Sequence, residues 1–440
     1  REVRNILTDK AEEEAIKVFK ENLKNLLMQA PLKEKSILAL DPGYRTGCKV
    51  AIIDKNGFYI GNDVFFLVAD MHTPKQLETA EKKIVDYVKK YNIDIIVIGN
   101  GTASRETESF VADVIRKNNL NTKYLIANEA GASIYSASKI AAEEFPDLDV
   151  TVRGAISIGR RIQDPLAELV KIDPKSIGVG MYQHDVNQGK LDESLDAVIA
   201  YVVNSVGANL NTASWALLSH ISGIKKNMAK NIVDYRKENG NFKNRKELLK
   251  VAKLGPKAYE QCAGFMRIHE GVNPLDETSV HPESYEAAKK LLEKQGFQIS
   301  DITGGKLAGL SLTIRDYKKT AQELGVGEIT LRDIVAELEK PGRDPRDEMP
   351  KPILRTDVLD MKDLKEGMVL KGTVRNVIDF GVFVDIGVHQ DGLVHISEMS
   401  EKFIKHPLEA VSVGDIVDVR VLGVDMKKKR ISLSMKGISK

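Results

Sequence analysis

The 440-residue chain predicts a multidomain α+β fold: a mixed α/β domain, a helical middle and a small all-β barrel near the carboxy-terminal end. Three observations predict it. Between Ser36 and Asp196, short apolar runs alternate with stretches of helical periodicity. From Trp215 to Lys340 the pattern is helical and charged. After a segment dense in proline and charge, Gly367–Met435 changes to short β-rich runs separated by Gly and Asp.

Each element has its own warrant. Glu12–Gln29 reads as one amphipathic helix, with Ala15, Ile16, Phe19, Leu23, Leu26 and Leu27 on one face. It is expected to be the remnant of a larger amino-terminal region, with packing partners upstream. Ser36–Leu40 is a short apolar strand that ends at Asp41-Pro42-Gly43. Lys49–Ile53 and Tyr59–Leu67 form a hairpin across Asp54-Lys55-Asn56-Gly57, because the Asn-Gly pair accepts positive φ. Helices over Leu77–Tyr91, Ser104–Asn118 and Ser133–Glu144 alternate with the apolar strands Asp94–Ile98 and Lys123–Ala127, which read as buried on both faces. The order β-β-β-α-β-α-β-α is that of an RNase H-like sheet; a Rossmann domain alternates β and α from its start. Leu195–Gly207 is a helix rich in Ala and Val, Trp215–Ile268 holds two short helical hairpin units, and Pro274–Lys340 is a further helical stretch. Glu339–Pro352 can neither continue a helix nor join a central strand, so it is a linker. The expected domains are 1–35, 36–205, 206–272, 273–340, a linker at 341–362, and 363–437.

Composition narrows the function classes. No run approaches the roughly 20 apolar residues that cross a bilayer, so no membrane partner is expected. Arg1–Asp9 is charged and mixed, with no secretory pattern. The two cysteines, Cys48 and Cys262, form neither a disulfide framework nor a zinc knuckle, and a reducing cytoplasm suits them. The net charge of +2 says nothing about partners. Its distribution says more: Ser219–Glu270 holds 12 Lys and Arg against 5 Asp and Glu. Such a patch suits a polyanion, and it equally describes a solvated helical face.

The barrel segment carries the most specific chemistry. Phe380 and Phe383 have opposite parity on a regular strand, and Gly381 between them permits a bulge that brings both rings to one face. His395 follows in Gly392-Leu-Val-His-Ile-Ser397, and Asp425-Met-Lys-Lys-Lys-Arg430 is a basic turn before the last strand. Rings for bases beside cations for phosphates are what single-stranded nucleic acid needs. One Phe in the barrel core is the plainer alternative. Phe380-Gly-Val-Phe383, Gly392–Ser397, Val413-Gly-Asp415 and Lys429-Arg-Ile-Ser-Leu-Ser434 together resemble the S1 RNA-binding domain, a five-stranded OB-fold. That resemblance implies a nucleic-acid face at Phe380, Phe383, His395, Asp425 and Arg430, and single-stranded RNA as partner; Lys429, in the basic turn, is a further candidate contact. Stacking alone accepts single-stranded DNA as well.

Two further regions bear on function. Ile221–Ile232 resembles a helix-hairpin-helix with Gly223 in the hairpin, and Leu254–Gln261 resembles a second copy around Gly255. Free N–H groups at the start of the following helix bind phosphate without reading bases. Lys225, Lys226 and Lys257 are the candidate contacts, Lys225 and Lys257 standing where the motif has a second glycine. Helix packing or protein docking is the alternative. In the α/β domain, Asp41, Glu129, Asp192 and Asp196 are candidate catalytic carboxylates, and Asp41, Glu129 and Asp196 candidate ligands for Mg²⁺ or Mn²⁺. A two-metal nuclease needs such oxygen donors around ions about 3.5–4 Å apart. Asn100 stands where resolvase-type nucleases carry a carboxylate, and a neutral amide is a poorer ligand for a hard cation. Arg160-Arg161 either binds phosphate or pairs with nearby acids.

Asp41–Gly47, Ile98–Thr107, Glu129–Ser138, Arg153–Ser176 and Tyr182-Gln-His-Asp185 resemble the Tex family of bacterial transcription accessory proteins, over nearly the whole chain. The family implies a YqgF/RuvC-like domain, tandem helix-hairpin-helix units, a further helical domain and the S1 barrel, with this chain as the carboxy-terminal part. Two functions follow. One is a non-catalytic nucleic-acid-binding factor acting with the transcription or translation machinery, RNA polymerase or the ribosome. The other is a metal-dependent, structure-specific nuclease or resolvase.

Overall fold

The computed structural model describes residues 2–269, 271–356, 361–388 and 390–438. The chain packs as two compact units, Arg1–Leu195 with Glu348–Lys440, and Asp196–Asp347.

In the first unit, helix α1 (Glu2–Leu27) precedes strands β1 (Ile37–Asp41), β2 (Cys48–Ile53) and β3 (Tyr59–Phe65). Then come α2 (Pro74–Lys90), β4 (Ile95–Gly99), α3 (Ser104–Lys117) and β5 (Lys123–Ala127). The five strands form one sheet in the order β3-β2-β1-β4-β5. β1, β2 and β3 pair antiparallel, while β1-β4 and β4-β5 are parallel, which is the RNase H-like arrangement. The β2–β3 turn forms where Asn-Gly predicts it. Gly57 takes φ +84°, and the Asp54 carboxylate accepts from the N–H groups of Asn56 and Phe58. Alternation along the strands splits the core in two. Leu38, Leu40, Val50, Ile52, Ile96 and Ile98 face α2 and α3. Ile37, Ala39, Ala51, Ile53, Ile95 and Val97 face the helices that follow β5. Each fully buried Leu, Ile or Val side chain contributes about 1.5–3 kcal/mol.

Those later helices are α4 (Ala132–Ser136), α5 (Lys139–Glu144), α6 (Val150–Gln163), α7 (Pro165–Leu169), α8 (Pro174–Ile177) and α9 (Gln188–Val206). The single helix expected over Ser133–Glu144 is two, because the Ser138 hydroxyl caps a new helix by accepting from the Ala141 N–H. α6 lies on the sheet through Gly159, where a Cβ would sit 2.5 Å from Ile53 Cδ1 and 2.9 Å from Ala39 Cβ. The expectation of upstream partners for α1 is corrected in its second half. Leu23 and Leu27 are fully buried, and Asn22 donates to the Val179 carbonyl at 2.8 Å.

The second unit pairs two short parallel strands, β6 (Ala208–Asn209) and β7 (Met266–Arg267). Between them lie α10 (Trp215–Leu218), α11 (Lys226–Asn239) and α12 (Pro256–Cys262). α13 (Tyr285–Lys294), α14 (Leu310–Thr313), α15 (Tyr317–Leu324) and α16 (Glu328–Glu339) follow, around Leu275, Leu291, Leu310, Leu331 and Leu338. Arg245, 1% exposed, joins the two halves of this unit. Its guanidinium donates to the carbonyls of Met266, Thr278 and Val280 and to the Tyr285 hydroxyl, so each of its nitrogens has an acceptor for the buried charge.

Back in the first unit, β8 (Val369–Ile378), β9 (Gly381–Asp385), β10 (Gly392–His395), β11 (Ile416–Asp425) and β12 (Arg430–Ser434) close into a barrel in the order β10-β12-β11-β8-β9. Val374, Val382, Val384, Val394, Val419, Val421, Ile431 and Leu433 fill it. The proline-rich segment before it does not enter the sheet's centre. Arg355 exchanges two backbone hydrogen bonds with Tyr124 on edge strand β5, at 2.8 and 2.9 Å. Among the described residues no helix is long and apolar enough to cross a membrane.

Gly159→Val is expected to destabilise the α/β domain by about 1–3 kcal/mol through overpacking. The check is a lowered urea midpoint with unchanged secondary structure by circular dichroism.

Candidate nucleic-acid interface

The barrel face is set by alternation. Val382 and Val384 point inward and are fully buried, so Phe383 points outward and is half-buried. The register extends this outward row: Asn376 on β8 pairs with Phe383, Phe383 with Leu393 on β10, Leu393 with Ser432 on β12, and Ser432 with Gly423 on β11. One row along, Gly381 pairs with both Ile378 and His395. Gly381 has no room for a side chain, since a Cβ would overlap the Val394 carbonyl.

Phe380 sits in the β8–β9 turn and is 53% exposed; His395 is exposed as well. The irregularity expected at Gly381 lies instead on the partner strand, between Val374 and Asn376, where Arg375 is the extra residue. Phe380 reaches solvent because the turn releases it from strand alternation. His395 Nδ1 accepts from the Ser397 N–H at 3.2 Å, so in the neutral ring the proton sits on Nε2 and is available as a donor.

The basic turn between β11 and β12 is built by Asp425. Its carboxylate accepts from the N–H groups of Lys427 and Lys428 at 3.0 and 2.9 Å, and Lys429 closes the turn at φ +51°. Asp425 is thus an organiser of the turn. Lys427, Lys428, Lys429 and Arg430 are all exposed, and none is in an ion pair among the described residues.

In the helical hairpins, Gly223 takes φ +80° and packs on α12, where a Cβ would meet Gln261 Cβ at 2.7 Å. Ile224 is buried behind it, and Lys225 occupies the cap position of α11 without a side-chain cap. The second copy is shifted from its expected register. Positive φ falls on Lys253 (+66°), Leu254 is the buried residue, and Gly255 is the cap of α12 at φ −84°. Gly255 therefore matches Lys225, and Lys257 lies inside the helix rather than at the second-glycine position. The apolar residue between turn and cap sets this register, and glycine spacing alone does not reveal it. Lys225, Lys226 and Lys257 are exposed. Lys226 and Lys230 place their ammonium groups 5.1 and 4.6 Å from the Trp215 ring centre, a cation–π cluster at the start of α11 that charge counting does not show.

The four acidic candidates separate into different environments. Asp41, at the end of β1, lies close enough to Glu129 for the two charges to repel. Burial first, then Glu129, push the Asp41 carboxyl up to about 6 against the pull of Lys49. Glu129 folds across Gly99 and Gly101, either of which would clash with its carboxylate if it carried a Cβ, and its Oε2 is buried without a hydrogen bond. Asp192 is held by Lys175 at 2.8 Å. Asp196, a turn later on α9, is exposed. Among the described residues no group of three or more His, Cys, Asp or Glu side chains is arranged to hold a metal ion. Among the described residues the donor set expected for Mg²⁺ or Mn²⁺ is not assembled: Asp41 and Glu129 come together, while Asp196 stays exposed on α9. Arg160 and Arg161 belong to the interior. Arg160 donates to the Gly57 carbonyl and lies over the Phe145 ring, and Arg161, 6% exposed, donates to the carbonyls of Asn128 and Ala130.

A ring-bearing barrel, paired helical hairpins and an RNase H-like sheet are the architecture of a multidomain protein built from nucleic-acid-binding types of module. Comparison with known families agrees. The Tex protein YqgF-like domain matches residues 35–163, the helix-hairpin-helix motif 203–267, the HHH domain 273–346 and the S1 RNA binding domain 363–436. Along nearly its whole length the chain is similar to proteins named Tex. It is 56% identical over 435 residues to the uncharacterized protein YdcI of Bacillus subtilis, covering 99% of this chain and 60% of that protein. It is 49% identical over 436 residues to the transcriptional accessory protein Tex of Neisseria gonorrhoeae, covering 99% of this chain and 56% of that one. Human S1 RNA-binding domain-containing protein 1 is 39% identical over 494 residues, covering 99% of this chain and 49% of the human protein. The chain thus spans between about half and three-fifths of the length of these relatives.

Asp41 supplies a pH test. A carboxyl whose folded-state value is raised favours folding below the ordinary carboxylate range, and that contribution is lost as pH rises through about 6. Asp41→Asn is therefore expected to be near neutral at about pH 4 and stabilising by about 1–3 kcal/mol at about pH 7.5. Urea unfolding at both pH values checks the sign.

Proposed function

We propose that this chain is the nucleic-acid-binding part of a transcription accessory factor, which binds single-stranded RNA in preference to DNA and acts without cleaving it. The outward row through Phe383, with Phe380 and His395 exposed beside it, carries this proposal. Phe380 and Phe383 stack bases, His395 donates to the strand, and Lys429 and Arg430 meet phosphates on the turn that Asp425 holds. Lys225, Lys226 and Lys257 add sequence-independent phosphate contacts from the helical hairpins. The working domains are those expected from the sequence: an RNase H-like domain at 36–205, tandem hairpins at 206–272, a helical domain at 273–340, a linker at 341–362 and the barrel at 363–437. The relative named as a transcriptional accessory protein favours association with RNA polymerase, the ribosome being the other candidate, and a cytoplasmic setting. Two free, buried cysteines fit that compartment.

A metal-dependent nuclease is the second reading, and the proximity of Asp41 and Glu129 favours it. It requires cleavage of branched or structured nucleic acid with Mg²⁺ or Mn²⁺ that Asp41→Asn abolishes. A broad substrate panel left intact with both metals removes it.

Phe383→Ala is expected to weaken binding of a single-stranded oligoribonucleotide by about tenfold or more, since each stacked base is worth about 1–3 kcal/mol. Equal affinity of variant and parent in fluorescence anisotropy would overturn the assignment of the barrel face. Substituting Lys429 and Arg430 by Ala is expected to flatten the plot of log affinity against log salt, by roughly 0.7 in slope for each phosphate that is no longer neutralised.

A further inference from the structure

Between edge strand β5 and the barrel lies a half-open cleft of about 280 Å³. The Pro350–Arg355 segment forms one wall. It is fixed to β5 by the Tyr124–Arg355 backbone pair and to the barrel by Arg355, which lies over Gly387 and reaches Asp385 at 3.7 Å. Ile126, Pro352 and Ile353 give the cleft apolar walls, and Asn100 and Asn128 line it with amides. Each amide has its carbonyl end committed. Asn100 Oδ1 accepts from the Glu129 N–H at 3.0 Å, and Asn128 Oδ1 from the Ala130 N–H at 2.8 Å. Both NH₂ groups therefore turn the other way, and neither has an acceptor among the described residues. Apolar walls with two amide donors suit a flat, acceptor-rich group, which is the description of a nucleobase.

The barrel residues Arg375 and Asp385 line the cleft. Asp385 and Arg375 at its rim are paired at 2.6 Å, and Asp385 is two residues beyond Phe383 on the same side of β9. Two residues of strand cover about 7 Å, a distance that a single-stranded backbone crosses in one or two nucleotides. We infer that the cleft seats one base of the strand that crosses the barrel, with Asn100 and Asn128 donating to its edge. This rests on the proposal that the barrel face binds RNA. It also gives Asn100 a use of its own, as a neutral donor in the place where nucleases carry a metal ligand.

Short oligouridine RNAs carrying a single thiouridine at successive positions, photocrosslinked to the full chain and mapped by mass spectrometry, test the inference. One position is expected to crosslink within 125–130 or 350–355, while neighbouring positions crosslink around Phe383. Crosslinks confined to the barrel would overturn the cleft and leave the barrel face standing; an absence of crosslinks at the barrel would sink the barrel proposal itself. Ile126→Trp, which fills the cleft, is expected to weaken oligouridine binding about 5–50-fold. Should that variant fold poorly, Asn128→Ala, at an exposed position, is expected to weaken it about threefold or more. Unchanged affinity in Asn128→Ala and Asn100→Ala together would also overturn the inference.

Discussion

Closure of the barrel is the constraint on which the interface depends. Once β8–β12 form a closed sheet, every second residue must fill the interior, and Val382, Val384 and Val394 take those places. The residues between them have no alternative to the outside. Phe383 and Leu393 are therefore displayed side by side at a fixed spacing, and an apolar ring is held at the surface by the packing of its neighbours. Gly381 completes the device, because the strand passes so close to the Val394 carbonyl that no side chain fits there.

Polar groups around this frame serve to position it. The Asp425 carboxylate holds a turn of lysines, Ser397 sets the tautomer of His395, and Asp385 sits between two arginines. Burial would raise the Asp385 carboxyl, yet Arg375 and Arg355 hold it below the usual carboxylate range. Such a network in a partly buried place fixes geometry more surely than it adds stability. In the second unit Arg245 does the same with carbonyl oxygens, joining the hairpin half to the helices that follow.

The RNase H-like domain illustrates the difference between a fold and a site. Its strand order and its two-faced core follow the pattern of the family, and Asp41 ends the first strand. Beside Asp41 stands Glu129, which folds across Gly99 and Gly101 and whose N–H donates to the Asn100 amide oxygen. The raised Asp41 carboxyl reflects its burial first and the nearby Glu129 second, against the pull of Lys49.

Much of the architecture was legible in the residues. Period-two alternation placed Phe383, Asn-Gly marked the β2–β3 turn, and an early hairpin separated this sheet from a Rossmann domain. These are local signals, carried by steric preferences of a few neighbouring residues. The hairpin register at Lys253, the break at Ser138 and the fate of Asp192 were not legible, since each depends on a partner distant in the chain or on one hydroxyl's choice of hydrogen bond. By itself the sequence determined most of the strands and helices and which rings are available to a ligand. Only the tertiary structure decided that Arg160 and Arg161 turn inward, that among the described residues Asp41 meets Glu129 but no third acid, and that a proline-rich linker becomes the wall of a cleft. Charge and spacing are properties of the chain, whereas burial and partnership arise only when distant segments pack together.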